Sequence, residues 1–142
     1  MAAYYSTNYT KQYVNVPAEK IPAGEQYGVM RVAYDDYTFA GDVGNADTIT
    51  FMKLPKGARI IDIHMINTAM GGGTVDLGWT APDGFLDGYD PTSAGEVNLG
   101  ILAGRLKKFT AAGCYVQLTV KDNNVATDTS DSLKIMVMYV VD

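Results

Sequence analysis

Residues 114–120 read Cys-Tyr-Val-Gln-Leu-Thr-Val, and apolar and polar side chains alternate along them. Successive side chains of a β-strand point to opposite faces of the sheet, so an alternation of period two predicts a half-buried strand. We expect Val116, Leu118 and Val120 to face a core and Tyr115 to face outward. A chain built from such segments has to bury one face of each sheet against another layer.

Similar segments occupy most of the chain from residue 27 onward. Further strands are predicted at residues 28–34, 47–52, 58–66, 74–79 and 133–141. Turn-forming residues such as Pro-Lys-Gly at 55–57 and Gly-Gly-Gly at 71–73 separate them. Residues 80–96 form a long irregular stretch, and residues 97–109 fit either a short helix or a strand with a turn. About seven short strands without βαβ alternation predict an all-β fold, an antiparallel two-sheet sandwich of the jelly-roll type.

The last predicted strand is apolar on both of its faces. Leu133, Ile135 and Val137 lie on one side, and Met136 and Met138 lie on the other. A strand of this kind either is central in a sandwich or has one face covered by a partner chain. The sequence leaves both explanations open.

The first 25 residues differ in composition from the rest. They contain four tyrosines among Ser, Thr, Asn and Gln, followed by two prolines that favour extended backbone. We predict an extended N-terminal arm at residues 1–25 and a single β-sandwich domain at residues 26–142. Because tyrosine gives a large contact area at low entropy cost, the predicted partner-binding residues of the arm are Tyr4, Tyr5, Tyr9 and Tyr13. The alternative is that the arm lies on its own domain.

The net charge limits the partners that the chain can have. With 11 Lys and Arg against 16 Asp and Glu, the 142-residue chain carries a net charge of −5. Nucleic-acid-binding surfaces are basic, so we predict no nucleic-acid partner. No apolar run approaches the roughly 20 residues that span a bilayer, and the first residues lack the features of a secretory signal. We therefore expect no membrane association and synthesis in a cytoplasm.

The residue types that catalysis and metal binding require are scarce. Cys114 is the only cysteine and His64 the only histidine, whereas a zinc site needs three or four such ligands. Cys114 lies in an apolar run, which predicts a buried small side chain. His64 is predicted on the outward face of its strand beside Asp62. No phosphate-binding loop or nucleophile-elbow motif is present, so we predict no enzyme, no catalytic residues, no metal and no cofactor.

Two kinds of loop ligand remain open. Acidic and amide side chains cluster at residues 42–47, 83–90 and 122–131, yet none of these loops has the spacing of a calcium-binding loop, and the same residues form ordinary turns. Three aromatic residues near the long irregular stretch form a candidate ligand or interface loop: Trp79, Phe85 and Tyr89. Sugar-binding jelly rolls present exposed aromatics near their loops, and packing inside the domain is the alternative.

Residues 49–63 read Ile-Thr-Phe-Met-Lys-Leu-Pro-Lys-Gly-Ala-Arg-Ile-Ile-Asp-Ile. An apolar strand thus runs through a Leu-Pro-x-Gly-Ala turn into the next strand, and Thr-Val-Asp-Leu-Gly-Trp follows at 74–79. This pattern resembles small structural proteins of tailed bacteriophages, and in particular the capsid cement (decoration) proteins of the jelly-roll type. The resemblance implies a virion protein on the outer surface of the phage head that binds the major capsid protein and bridges neighbouring capsid subunits. It also implies a homo-oligomer, a dimer or trimer, without catalytic residues.

Two other functions fit the same sequence. One is another phage virion component, such as a head–tail connector piece or a tail or fibre subunit. The other is a carbohydrate-binding jelly-roll module with its site near Trp79. An assembly protein is expected to need residues 1–25 for binding, whereas a sugar-binding module is expected to bind without them.

Overall fold

The computed structural model describes residues 15–20, 28–98, 106–110 and 113–141. Within them the chain forms eight β-strands and no helix. The strands are β1 (Arg31–Thr38), β2 (Thr48–Leu54), β3 (Ala58–Asn67), β4 (Gly71–Gly78), β5 (Leu86–Tyr89), β6 (Gly95–Asn98), β7 (Cys114–Ala126) and β8 (Ser132–Val141). None of the described residues belongs to a helix long and apolar enough to span a membrane.

The strands pair antiparallel in two four-stranded sheets. Sheet I has the order β1-β8-β3-β6, and sheet II has the order β2-β7-β4-β5. Only β4 and β5 are consecutive in the chain and also lie in the same sheet, so every other connection crosses between the sheets. This is the strand order of an eight-stranded jelly roll. The predicted all-β, two-sheet antiparallel sandwich is confirmed.

The inner faces of the two sheets bury one apolar core. The interior strands β7 and β8 contribute eight side chains that are at most 2% exposed: Cys114, Val116, Leu118, Val120, Val125, Leu133, Ile135 and Val137. Complete burial of a side chain of this size stabilises the fold by about 1.5–3 kcal/mol before the entropy cost is subtracted. The alternation that predicted β7 therefore also identifies the side chains that hold the sheets together.

The glycine triplet at 71–73 is the beginning of β4 and not the flexible turn that the sequence predicted. Gly72, with a φ of +80°, lies opposite Val125 near the end of β7. The two backbones approach so closely that a Cβ on Gly73 would lie 2.3 Å from the carbonyl oxygen of Asn123. Glycine allows both the left-handed conformation and the close approach. β7 consequently continues to its end through a polar stretch for which the sequence predicted a loop.

The short strands β5 and β6 lie in stretches that the sequence left irregular or ambiguous. Each has only four residues, and each contains a glycine and an acidic residue typical of turns. They pair with longer neighbours, β5 with β4 and β6 with β3, and they form the outer edges of the two sheets. Pairing with a longer strand, rather than their own composition, makes them extended.

A β-bulge in β3 changes which side of the sheet one of its isoleucines faces, compared with the prediction. A strict two-residue alternation, as the sequence predicts for this strand, places Ile61, Ile63 and Met65 on the same side. The register against β8 shifts between Ile60 and Asp62, and Ile60 is buried while Ile61 is only half-buried. An extra residue in one strand reverses the alternation on one side of the bulge. The prediction is therefore wrong for Ile61 and right for the two residues that follow the bulge.

A buried amide fixes the loop between β5 and β6. The Nδ2 of Asn67, at the end of β3, lies 2.7, 3.2 and 2.9 Å from the carbonyl oxygens of Thr68, Pro91 and Ser93, so these three acceptors share its two hydrogens. Its Oδ1 accepts a hydrogen bond of 2.8 Å from the hydroxyl of Tyr89. A buried polar side chain needs such partners, so Asn67 ties the position of this loop, and of β6 after it, to β3.

Candidate functional site

The outer face of sheet I carries exposed apolar side chains from two of its strands. Tyr34 and Val32 of β1 are 85% and 53% exposed, and Ile66 of β3 is 47% exposed. Between these strands lie Met136 and Met138 of β8, which are half-buried on the same face. Apolar side chains that adjoin one another on a surface mark interaction sites more often than isolated ones do.

Strand pairing arranges this face in rows that cross the sheet. One row contains Tyr34, Met136, His64 and Asn98, and the next contains Asp36, Lys134, Ile66 and Glu96. Neighbouring strands lie about 4.8 Å apart, so side chains within a row are close enough to contact one another. The second row begins and ends with a carboxylate, one on each edge strand of the sheet.

A groove with a volume of about 340 Å³ lies on the outer face of sheet I. Its lining includes Tyr34, His64, Ile66, Lys134 and Met136. The groove therefore combines an aromatic ring, an aliphatic chain and a thioether with two groups that can carry positive charge, and the carboxylates of Asp35 and Asp36 also line it. An apolar concave surface with a few polar groups has the composition of a recognition site.

His64 lies between two carboxylates on this face. Its Nδ1 is 2.7 Å from Oε1 of Glu96, and its Nε2 is 3.4 Å from Oδ2 of Asp62. The hydrogen bond with Glu96 raises the pKa of His64 above its ordinary value, desolvation opposes this rise, and the charge of Asp62 adds to it. Because histidine titrates near neutral pH, the net charge of the face changes in the physiological range.

The outer face of sheet II is mainly polar by contrast, with Tyr115 of β7 exposed on it at 49%. The Nε2 of Gln117 donates to Oγ1 of Thr50 at 2.8 Å. The Nζ of Lys121 lies 2.7 Å from Oδ1 of Asp87 and 3.7 Å from Oδ2 of Asp76. The hydrogen bond between Lys121 and Asp87 lowers the pKa of Asp87 and raises that of Lys121. These groups pair among themselves and suit a surface that faces water.

The structure brings together two of the three aromatic residues of the candidate ligand loop. The ring centroids of Trp79 and Phe85 are 4.9 Å apart, and Phe85 is completely buried. The half-buried Trp79 also meets the edge of Phe109, and the Nζ of Lys107 lies 4.4 Å from the centroid of the indole ring. The hydroxyl of Tyr89 makes the hydrogen bond to Asn67 of β3 described above. The cluster around Trp79 is mainly a packing arrangement.

The remaining candidate residues have other positions. The arm tyrosines Tyr4, Tyr5, Tyr9 and Tyr13 lie outside the described residues. Cys114 is buried, as predicted, and burial raises the pKa of its thiol to about 12. Among the described residues no three His, Cys, Asp or Glu side chains are grouped so that they could hold a metal ion. In the acidic loops the carboxylates accept backbone hydrogen bonds, as Asp47 does from Gly44 and Asp42 from Thr127.

Tyr34 and Ile66 were not predicted from the sequence to lie on an interaction surface. The only indication was the two-sided apolar pattern of the last strand, which suggested that one face is covered by a partner. The structure shows that β8 is interior in sheet I and that its two outward methionines lie between the exposed groups of β1 and β3. The pairing of the first strand with the last one creates this surface, and that pairing cannot be read from local patterns.

No protein-family model matches the chain, and no curated protein matches its sequence. Solved structures nevertheless contain chains of the same shape. A chain in the capsid asymmetric unit of cyanophage Pam1 superposes with a TM-score of 0.71 at 22% identity, covering 90% of this chain and 96% of that one. A chain in the capsid of Ralstonia phage GP4 has a TM-score of 0.70 at 15% identity, covering 87% and 92%. The fold is that of these phage capsid chains.

A chain from the acid-stable capsid of Helicobacter pylori bacteriophage KHP30 is less similar. Its TM-score is 0.50 at 20% identity, and the match covers 80% of this chain and 88% of that one. At such low sequence identity these similarities establish a shared fold and leave function to be argued from the surfaces of this chain.

Proposed function

We propose that this chain is a structural protein of a phage virion that binds the outside of the assembled capsid, bridges neighbouring capsid subunits and stabilises the head. The observation that carries the proposal is the match to chains from two phage capsids over 90% and 87% of this chain. The same matches cover 96% and 92% of those chains, so the jelly roll makes up almost all of each of them. This similarity in size supports a small separate subunit.

The difference between the two outer faces supports the same function. A subunit attached to the outside of a shell has one side toward the shell and another toward water. The outer face of sheet II pairs its polar groups internally, whereas the outer face of sheet I exposes Tyr34 and Ile66. This asymmetry is expected for a protein that is covered on one side.

In this proposal the arm at residues 1–25 and the domain at residues 26–142 bind together. Once one of them has docked, the other binds at a high effective concentration, so two weak contacts hold the subunit firmly. The tyrosines of the arm are the proposed anchors, and the proposed partner is the major capsid protein. A dimer or trimer on the outer surface of the head would multiply these contacts and reach several capsid subunits.

The local geometry does not favour a carbohydrate-binding module. A sugar stacks on an open aromatic face, and Trp79 is in contact with Phe85, Phe109 and the ammonium group of Lys107. Phe85 is buried in the core and cannot reach a ligand. A tail, fibre or connector subunit remains the alternative within the virion.

Cosedimentation with empty shells tests the proposal. The purified chain is mixed with shells assembled from the major capsid protein of the same genome, and with the same capsid protein before assembly. We expect saturable binding to the shells at a fixed ratio to capsid subunits, and weaker binding to the unassembled protein. A folded, soluble chain that stays in the supernatant would contradict the proposal and favour a tail or connector component.

A further inference from the structure

We propose that the outer face of sheet I docks this chain onto its partner, and that the partner presents an apolar side chain flanked by lysine or arginine. The inference rests on the proposed function, in which the partner is a subunit of the capsid. It adds which side of the sandwich faces the shell and what chemistry that side recognises.

The apolar side chains of this face are suited to an interface. Tyr34 is 85% exposed on the edge strand β1. Ile66 lies on β3, on the other side of β8, and both side chains line the 340 Å³ groove. Tyrosine is among the residues that contribute most binding energy when a partner buries them, because its large ring loses little rotamer freedom. The face thus offers an aromatic anchor and an aliphatic one, with the half-buried Met136 between their strands.

The size of the face agrees with a protein partner. Sheet I has four strands, and at about 4.8 Å per strand it is roughly 19 Å wide. The interior strand β8 has 10 residues, so the sheet is roughly 33 Å long at about 3.3 Å per residue. The product, about 600 Å², is most of the roughly 800 Å² that each partner buries in a standard interface. The arm can supply the remaining area.

The charges on the face indicate a basic partner. Four carboxylates lie on it or line its groove, together with three groups that can be positive: Asp35, Asp36, Asp62, Glu96, Lys134, Arg59 and His64. These charges sum to −2 with neutral histidine and to −1 with protonated histidine. A second copy of this chain would place like charges opposite one another, and such contacts are unfavourable. Residues 1–14 of the arm contain only one charged side chain, a lysine, and offer little complementary charge. A capsid subunit that presents lysine or arginine beside an apolar group fits the face better than a second copy of this chain or its N-terminal arm does.

Matched substitutions on the two faces test the docking surface. In the shell cosedimentation assay, Tyr34→Ala and Ile66→Lys are expected to weaken binding about tenfold or more. Tyr115→Ala and Thr50→Lys on the outer face of sheet II are the controls, since Tyr115 is also exposed on a strand, at 49%. The controls are expected to bind within about twofold of the wild type, as substitutions outside an interface do. Melting temperatures confirm that all four variants are folded.

Retained binding by the folded variants Tyr34→Ala and Ile66→Lys would overturn this inference and leave the proposed function standing. An equal loss in the sheet II controls would overturn it as well. If the wild-type chain fails to bind shells, the proposed function fails, and this inference fails with it.

The basic character of the partner is tested by salt, because wild-type affinity for shells is expected to fall as ionic strength rises. Salt-independent affinity would overturn that part.

Photo-crosslinking identifies the occupant of the face. A benzophenone amino acid is placed at position 34 or, as control, at position 115, and each full-length protein is irradiated on shells. A product between position 34 and the capsid subunit, without one from position 115, supports the inference. A product between two copies of this chain, or between position 34 and the N-terminal arm, would overturn it.

Discussion

Replacing Asn67 by alanine removes the buried amide that connects β3, the loop after β5 and the hydroxyl of Tyr89. The buried carbonyl of Pro91 keeps the 3.0 Å hydrogen bond from the backbone N–H of Met70, so loss of the longer bond from Asn67 costs about 0.5–1 kcal/mol there. The carbonyls of Thr68 and Ser93 and the Tyr89 hydroxyl are partly exposed, so water replaces part of each bond, and each loss costs about 0.5 kcal/mol.

Together these losses lower the free energy of unfolding by about 2 kcal/mol. For a domain of this size, about 1 kcal/mol shifts the melting temperature by roughly 2–4 °C, so Asn67→Ala is expected to melt about 4–8 °C below the wild type. The measurement is thermal unfolding followed by circular dichroism, together with chemical denaturation to obtain the free energy directly.

Two variants make the test specific. Tyr89→Phe removes only the hydrogen bond to Oδ1 of Asn67 and is expected to cost about 1 kcal/mol. The double variant is expected to cost less than the sum of the two single variants, because both remove the same bond. Asn98→Ala, an exposed asparagine on β6, is the control and is expected to change stability by less than about 0.5 kcal/mol. A melting temperature of Asn67→Ala within about 2 °C of the wild type would refute the assigned role of the amide.

Three further predictions follow from other parts of the molecule. The pKa of His64 is raised in the folded protein, so its contribution to stability is present below the pKa of the unfolded chain and is lost as pH rises through the pKa of the folded protein. His64→Gln is therefore expected to lower the melting temperature more at pH 5.5 than at pH 8.5, and an equal effect at both pH values would contradict the pairing with Glu96. A Cβ at Gly84 would lie 2.0 Å from the ring of Trp79, so Gly84→Ala is expected to lower the free energy of unfolding by about 1–3 kcal/mol and to shift the fluorescence emission of the only tryptophan to longer wavelength. Unchanged stability and emission would show that the ring is not confined beside Gly84. Alanine at all four tyrosines of residues 4–13 is expected to leave the melting temperature unchanged and to weaken binding to shells; full binding by this variant would remove the arm from the proposed interface.

The sequence predicted the strands that have a clear local pattern of apolar residues. β2, β3, β7 and β8 alternate over long segments or carry continuous apolar runs, and all four begin within one residue of their predicted first residue. β7 continues six residues beyond its predicted end. The first strand was predicted at 28–34 and is found at 31–38, because the acidic pair Asp35-Asp36 is read as the end of a strand although it pairs with β8. Local composition fails there since the ladder to the last strand keeps the polar residues extended.

Features that depend on distant partners could not be predicted. β5 and β6 are extended because β4 and β3 lie beside them, and the glycines at 71–73 belong to β4 because the end of β7 pairs with them. The bulge after Ile60 is likewise invisible in a run of isoleucines. The same reason applies to the candidate site, since Tyr34 and Ile66 are 32 residues apart in the chain and share a surface only through β8. The aromatic loop was predicted from residue type alone, and residue type did not reveal that Phe85 belongs to the core.

The central claim is that the chain binds the outside of a finished head and stabilises it, and adding the protein back to DNA-filled virions tests both parts at once. Virions made without this chain are purified, and DNA release on heating is followed with a DNA-binding dye, before and after the purified chain is added. Protein added to a closed head reaches only its outer surface. We predict that virions without the chain release DNA at a lower temperature and that added wild-type protein restores the release temperature, whereas Ile66→Lys does not. Equal release temperatures with and without the chain would contradict the claim.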